Sequence, residues 1–274
     1  MKPRTLARST LFAVVALAAP LTPTAAATLQ TAVFQEYVYA QGLFHGLGTN
    51  DGLPEHFEES ETASDETASG YVRTTGGALP RAEGALTMEA IGNPTRIMFG
   101  SFSARVYYEW RIEQVGGDPY SGPIPIDVHT RGAVDSSVTY GASIDNLWAQ
   151  AKITLPDAPS EYHAAVGCSK GDCTYGPISF DDAFSGTALP DTTYVVILTA
   201  LGSGNVSVNR AVLSMSAWVD PTIVISPGFD RAGDFQIVFS EGILPVPEPS
   251  ELAMLIAGGG ALLFTVRRRR RHPA

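Results

Sequence analysis

Several signatures that would announce an activity are missing. The chain has no G-x-S-x-G elbow, no H-E-x-x-H, no P-loop and no EF-hand loop. Gly46-Leu47-Gly48 lacks the third glycine of a dinucleotide fingerprint and reads as a turn. Basic side chains are scarce. With Lys2, Arg4, Arg8, the arginines at 267–271, Glu248 and Glu251 set aside, residues 28–247 hold 10 basic against 26 acidic side chains, a formal charge of about −16 against −10 for the whole chain. Such a surface repels phosphates and excludes nucleic acid as a partner. It suits a soluble secreted protein and loose calcium binding, and no other cofactor is expected. Cysteine is nearly absent too. Cys168 and Cys173, in "CSKGDC", are the 2 present, and in an oxidising compartment they pair. The ring they close is small, worth only about 2 kcal/mol of loop entropy. The rival reading, that they and His163 are three metal ligands, ranks below it for want of a fourth.

The two ends carry targeting signals. Lys2, Arg4 and Arg8 form a positive n-region, 11–21 an apolar h-region, and Ala25-Ala26-Ala27 the small residues that signal peptidase requires, so 1–27 reads as a signal peptide cleaved before Thr28. At the other end 252–266 is uncharged and followed at once by Arg267, Arg268, Arg269, Arg270 and Arg271. Fifteen helical residues span about 22 Å against a hydrocarbon core of about 30 Å, a gap that arginine snorkelling and local thinning cover. The arginines hold 267–274 in the cytoplasm, which leaves everything upstream outside.

The order Val246-Pro247-Glu248-Pro249-Ser250, hydrophobic helix, arginine cluster resembles the PEP-CTERM sorting signal of Gram-negative bacteria. The resemblance covers about the last thirty residues of the chain, and Pro247, Glu248 and Pro249 match the tripeptide. Where the family pattern usually has threonine, this chain has Glu251. The resemblance implies processing by an exosortase-like membrane protease. It also implies passage from a transient inner-membrane anchorage, with the domain periplasmic, to the cell surface or to an exopolysaccharide and biofilm matrix. It supplies an address and no activity.

Between these signals the periodicity is that of strands. In 101–114, Phe102, Ala104, Val106, Tyr108, Trp110 and Ile112 share one parity, while Ser103, Arg105, Tyr107, Glu109, Arg111 and Glu113 share the other. The stretch 146–155 repeats the pattern, with Trp148, Gln150 and Lys152 on the polar parity. Further strands are expected over 32–39, 85–90, 124–129, 136–140, 194–201, 206–219, 222–225 and 235–239. Gly/Pro-rich turns fall at 116–123, 155–160, 188–193 and 226–234. The expected fold is all-β, a β-sandwich of jelly-roll type, as one domain over 28–242. A Pro-rich linker follows over 243–251. Within the domain, 41–75 is acid-rich and predicts a flexible loop.

Candidate contacts are few. Tyr107 and Trp148 lie on the polar parity of their strands, where aromatics can stack on sugar rings. Trp110 has core parity. Asp127 and His129 share a strand face, and "HFEE" at 56–59 sets a histidine beside Glu58 and Glu59. No catalytic residue and no metal ligand is assigned. The leading expectation is a non-enzymatic, exported protein with a structural or adhesive role. The alternative is a carbohydrate-binding module of the matrix, with a secreted hydrolase using Glu58 and Glu59 behind it.

Overall fold

A computed structural model describes residues 28–41, 43–51, 56–62, 66–77, 79–91, 97–154, 161–169 and 176–243. The expected signal peptide 1–27, the sorting tripeptide Pro247, Glu248 and Pro249, the expected membrane helix 252–266, the arginines 267–271 and Cys173 all lie outside the described residues.

Among the described residues the chain forms β1 (Val33–Ala40), β2 (Phe44–Asp51), β3 (His56–Thr62), β4 (Glu66–Thr75), β5 (Arg81–Ala90), β6 (Met98–Gln114), β7 (Ile124–Val138), β8 (Ala142–Thr154), β9 (Glu161–Ser169), β10 (Ile178–Ala188), β11 (Tyr194–Val206), β12 (Val212–Ile225) and β13 (Phe235–Phe239). One 3-10 turn, Ala232–Asp234, is their only helical element, and no helix there is long and apolar enough to cross a membrane.

The strands pair antiparallel in two sheets. The first runs β2-β1-β6-β11-β8-β9, with β13 beside the far end of β6; the second runs β10-β7-β12-β5-β4-β3. Within β5 to β12 the order 6-11-8-9 faces 10-7-12-5, so one Greek-key wrap lies over another. β1 and β2 extend the first sheet beyond β6, and β3 and β4 extend the second beyond β5.

Alternation builds the core. Phe34 and Val38 of β1, Phe102, Val106 and Trp110 of β6, and Leu198 of β11 turn inward from the first sheet. Leu86 and Met88 of β5, Ile126 of β7 and Met215 of β12 meet them from the second. This is the apolar seam that a sandwich requires. Phe102 shows how closely the sheets approach. A Cβ added at Gly84 or at Gly202 would lie 2.4 Å from its ring, so both neighbours must be glycine for the ring to stay where it is.

Several expectations need correction. The acidic stretch 41–75 is not a loop: β2, β3 and β4 run through it. β4 buries Ala68, Val72 and Thr74, small or modest side chains that fill an inner row without standing out as a hydrophobic pattern. Gly46-Leu47-Gly48 lies inside β2, in register with Val38, Tyr37 and Glu36 of β1, rather than at a turn. The predicted strands 124–129 and 136–140 fall largely within one strand, β7, and 206–219 and 222–225 largely within one, β12. Pro221 is tolerated in β12 because pairing with β5 ends at Val219, leaving only β7 alongside. Glu109 and Arg111 have polar parity yet are 9% and 8% exposed. The incoming chain covers this end of β6: the Gln30 amide donates to Glu109 Oε2 at 2.8 Å, and the Glu109 amide donates to Ser240 Oγ at 2.8 Å.

Candidate functional site

Inner-facing residues being consumed by packing, chemistry is left to the two outer faces. On the first sheet, strand register fixes which side chains are neighbours. Tyr107 of β6 pairs with Val33 of β1 on one side and Ile197 of β11 on the other. Two residues along, Arg105 pairs with Gln35 and Thr199. Two further, Ser103 pairs with Tyr37 and Leu201, and Leu201 pairs with Trp148 of β8. Tyr37 and Trp148 therefore share one row across the sheet, three strand spacings or about 14 Å apart. Tyr107 stands four residues from that row, about 13 Å along the strands.

Both sequence-predicted aromatics are thus on one outer face, half-buried and uncovered by the opposite sheet. The sequence reading missed Tyr37 and Tyr39, whose rings stack with centroids 6.3 Å apart and planes 20° apart on the same face. The alternation of "VFQEYVYA" could have found them. Trp148 leans over β9, where a Cβ at Gly167 would lie 2.7 Å from its ring, so that glycine gives the indole room to lie along the sheet.

Beside Tyr107 is a shallow depression of about 280 Å³, lined by Val33, Gln35, Arg105, Tyr107 and Ile197. It is open and below the volume of a typical enclosed small-molecule pocket. Apolar flats from Val33 and Ile197, a phenol, an amide and a guanidinium meet there. The Tyr107 phenol is held above its usual range, first by burial and then by the neighbouring Glu109 carboxylate, so it stays protonated and able to donate. Flat apolar area beside forked donors matches a sugar ring, which presents C–H on its faces and hydroxyls around its rim.

The other candidates diverge. Asp127 and His129 share the outer face of the second sheet, but each is engaged separately by β10. Ser185 Oγ donates to Asp127 Oδ1 at 2.8 Å, while His129 Nε2 contacts Asp181 Oδ1. Glu58 and Glu59 are exposed neighbours on the edge strand β3, so strand alternation sends them to opposite faces and they cannot converge on one bond. Trp110 is fully buried, packed at 4.8 Å against Tyr194. Cys168 is buried on β9, and no free cysteine occurs among the described residues. No group of three His, Cys, Asp or Glu side chains gathers in metal-binding range among them.

No family model and no curated protein matches the chain. Among solved structures, it is similar to one described as "Structural basis for the promiscuous specificity of the carbohydrate-binding modules from the beta-sandwich super family", at 9% identity, covering 69% of this chain and 84% of that one, with a TM-score of 0.20. It is also similar to the structure of infectious bursal disease virus Gt strain, at 12% identity, covering 88% of this chain and 74% of that one, again with a TM-score of 0.20. Scores this low bear on neither function nor partner.

Proposed function

We propose that this chain is an exported, non-catalytic sandwich protein that is sorted through its tail to the cell surface or matrix and holds polysaccharide there on the outer face of its first sheet. The observation that carries the binding role is the placing of Tyr37, Tyr39, Tyr107 and Trp148 on one outer face, with Tyr107 at an open depression. A flat aromatic row beside amide and guanidinium donors suits successive sugar rings of a chain, and an adhesive role follows from holding such a chain. The strand order supports reading the fold as a jelly roll lengthened by β1 to β4. The destination rests on the resemblance of 246–271 to the PEP-CTERM signal. On this reading signal peptidase and an exosortase-like protease are the processing partners, and the purified domain needs no catalytic group.

Affinity electrophoresis of the purified protein through gels cast with soluble polysaccharides tests the binding role. Retardation is expected, and Tyr107→Ala and Trp148→Ala should each weaken it roughly tenfold, the equivalent of about 1.4 kcal/mol per lost ring contact. Retardation unchanged in the double variant would remove the face from the account. Delivery to the matrix in cells lacking the tail protease would remove the sorting assignment.

A further inference from the structure

The two outer faces differ in charge. On the first sheet, the outward positions of β1, β6, β11 and β8 within 33–39, 101–107, 197–203 and 146–152 hold no Asp or Glu, and acids stand around that block: Asp51 of β2 in register with Val33, Glu161 of β9 in register with Thr154, and Glu109 and Glu113 further along β6. Arg105 and Lys152 are the two cations among them. The outer face of the second sheet is the reverse. Glu83, Asp127, Asp135 and Asp181 stand on it, and its arginines are spent on carboxylates: Arg81 meets Glu83 at 2.7 Å, Arg73 meets Glu83 at 3.8 Å and Arg131 meets Asp220 at 3.2 Å. Among the described residues no ion pair engages Arg105, which is exposed at the depression lined also by Tyr107.

This segregation has a consequence for the ligand. A domain of formal charge about −16 repels a polyanion over most of its surface. The field of aromatic and neutral polar side chains around Arg105 is a place where a carboxylate-bearing chain can approach at short range. Glu109, at the rim next to Tyr107, is buried and accepts the Gln30 backbone N–H, and the influence of its carboxylate reaches the Tyr107 phenol. A neutral glycan would need no such clearing of acids.

We infer that the outer face of the first sheet selects an acidic polysaccharide, a polyuronate or a similar carboxylated chain, with Arg105 as the residue that reads the acid. The inference rests on the proposal that this face binds polysaccharide, and it adds the chemical class. The aromatic row supplies contact with the sugar faces and the guanidinium supplies selection, because it can take a carboxylate through two parallel N–H donors.

The test compares a soluble polyuronate with the same polymer after its carboxyls have been reduced to primary alcohols, by titration against the purified protein. The polyuronate is expected to bind roughly tenfold tighter at low salt. That margin should shrink as ionic strength rises and the screening length falls towards about 8 Å. Arg105→Gln should erase the margin, lowering affinity for the polyuronate more than affinity for the reduced polymer; Arg105→Lys should restore part of it. Trp148→Ala should weaken both polymers alike. Equal binding of the two polymers by the wild-type protein, or a margin that survives Arg105→Gln, overturns the inference but leaves the polysaccharide role standing. Absence of binding to either polymer overturns both.

Discussion

Replacing Gly84 by alanine is expected to destabilise the domain, although the backbone there is ordinary extended strand. The new Cβ would lie 2.4 Å from Phe102 Cδ2 and 3.0 Å from Cε2. The ring cannot slide away freely, because a Cβ-sized space at Gly202 is filled by its opposite edge, 2.4 Å from where that Cβ would be. Overpacking of this kind costs about 1–3 kcal/mol. Against it stands a gain of about 0.4–1 kcal/mol, because alanine narrows the unfolded ensemble. The clash costs up to about 2.6 kcal/mol net, or up to roughly 10 °C in Tm for a domain of this size. Phe102→Ala alone should cost about 3–5 kcal/mol through the cavity it leaves. In that background Gly84→Ala should be neutral or favourable. A double-mutant cycle by urea denaturation, with far-UV circular dichroism as the signal, measures the coupling. A neutral Gly84→Ala, or the same cost with and without the ring, would refute the claim that these glycines exist to admit Phe102.

Other consequences can be checked alongside. Burial pushes the Tyr108 phenol far above its ordinary value, so the folded state holds this proton more tightly than the unfolded chain does. Its contribution to stability is therefore complete below pH of about 10 and is lost as pH rises beyond it. Tyr108→Phe should flatten the fall of stability with alkali by one proton, measured as the slope of unfolding free energy against pH. An unchanged slope would mean that the phenol titrates normally. Thiol titration of protein recovered outside the cell should find no free thiol before reduction and two after, reflecting a Cys168–Cys173 pair; free thiols before reduction would contradict it. Intact mass of the same material should begin at Thr28, and a retained leader would contradict the expected cleavage.

How much of this was legible in the sequence depended on whether local alternation met its tertiary surroundings unaltered. β6 and β8 were readable because one face of each meets the core along most of its length, so parity sorted Trp110 inward and Tyr107 and Trp148 outward. β4 was not, because its inner row is Ala68, Gly70, Val72 and Thr74, which resembles the polar, small-residue composition of a loop. β3 lies at the edge, with Glu58, Glu59 and Glu61 all exposed. Acid-rich edges of this kind look disordered in isolation and also discourage pairing with other chains. β10 is likewise an edge, paired only with β7, and its alternation is correspondingly weak. Burial of Glu109 came with the Gln30 and Ser240 contacts it makes with distant parts of the chain, a long-range event that no local pattern encodes. The candidate face was half legible. Outward parity identified two aromatics, but joining them to Tyr37 and Arg105 required the register of β1, β6, β11 and β8, which only the assembled sheet supplies.

The central claim is that Trp148 contacts bound polysaccharide, and its own emission reports it. Trp110 is fully buried and Trp218 lies under the Arg81 guanidinium at 4.5 Å, so Trp148 is the tryptophan placed to sense a sugar ring. Titration of the protein with a soluble polyuronate should shift tryptophan fluorescence in the wild type and in Trp218→Phe, and should leave it unchanged in Trp148→Phe. A shift that persists in Trp148→Phe, or binding with no shift in the wild type, would contradict the account.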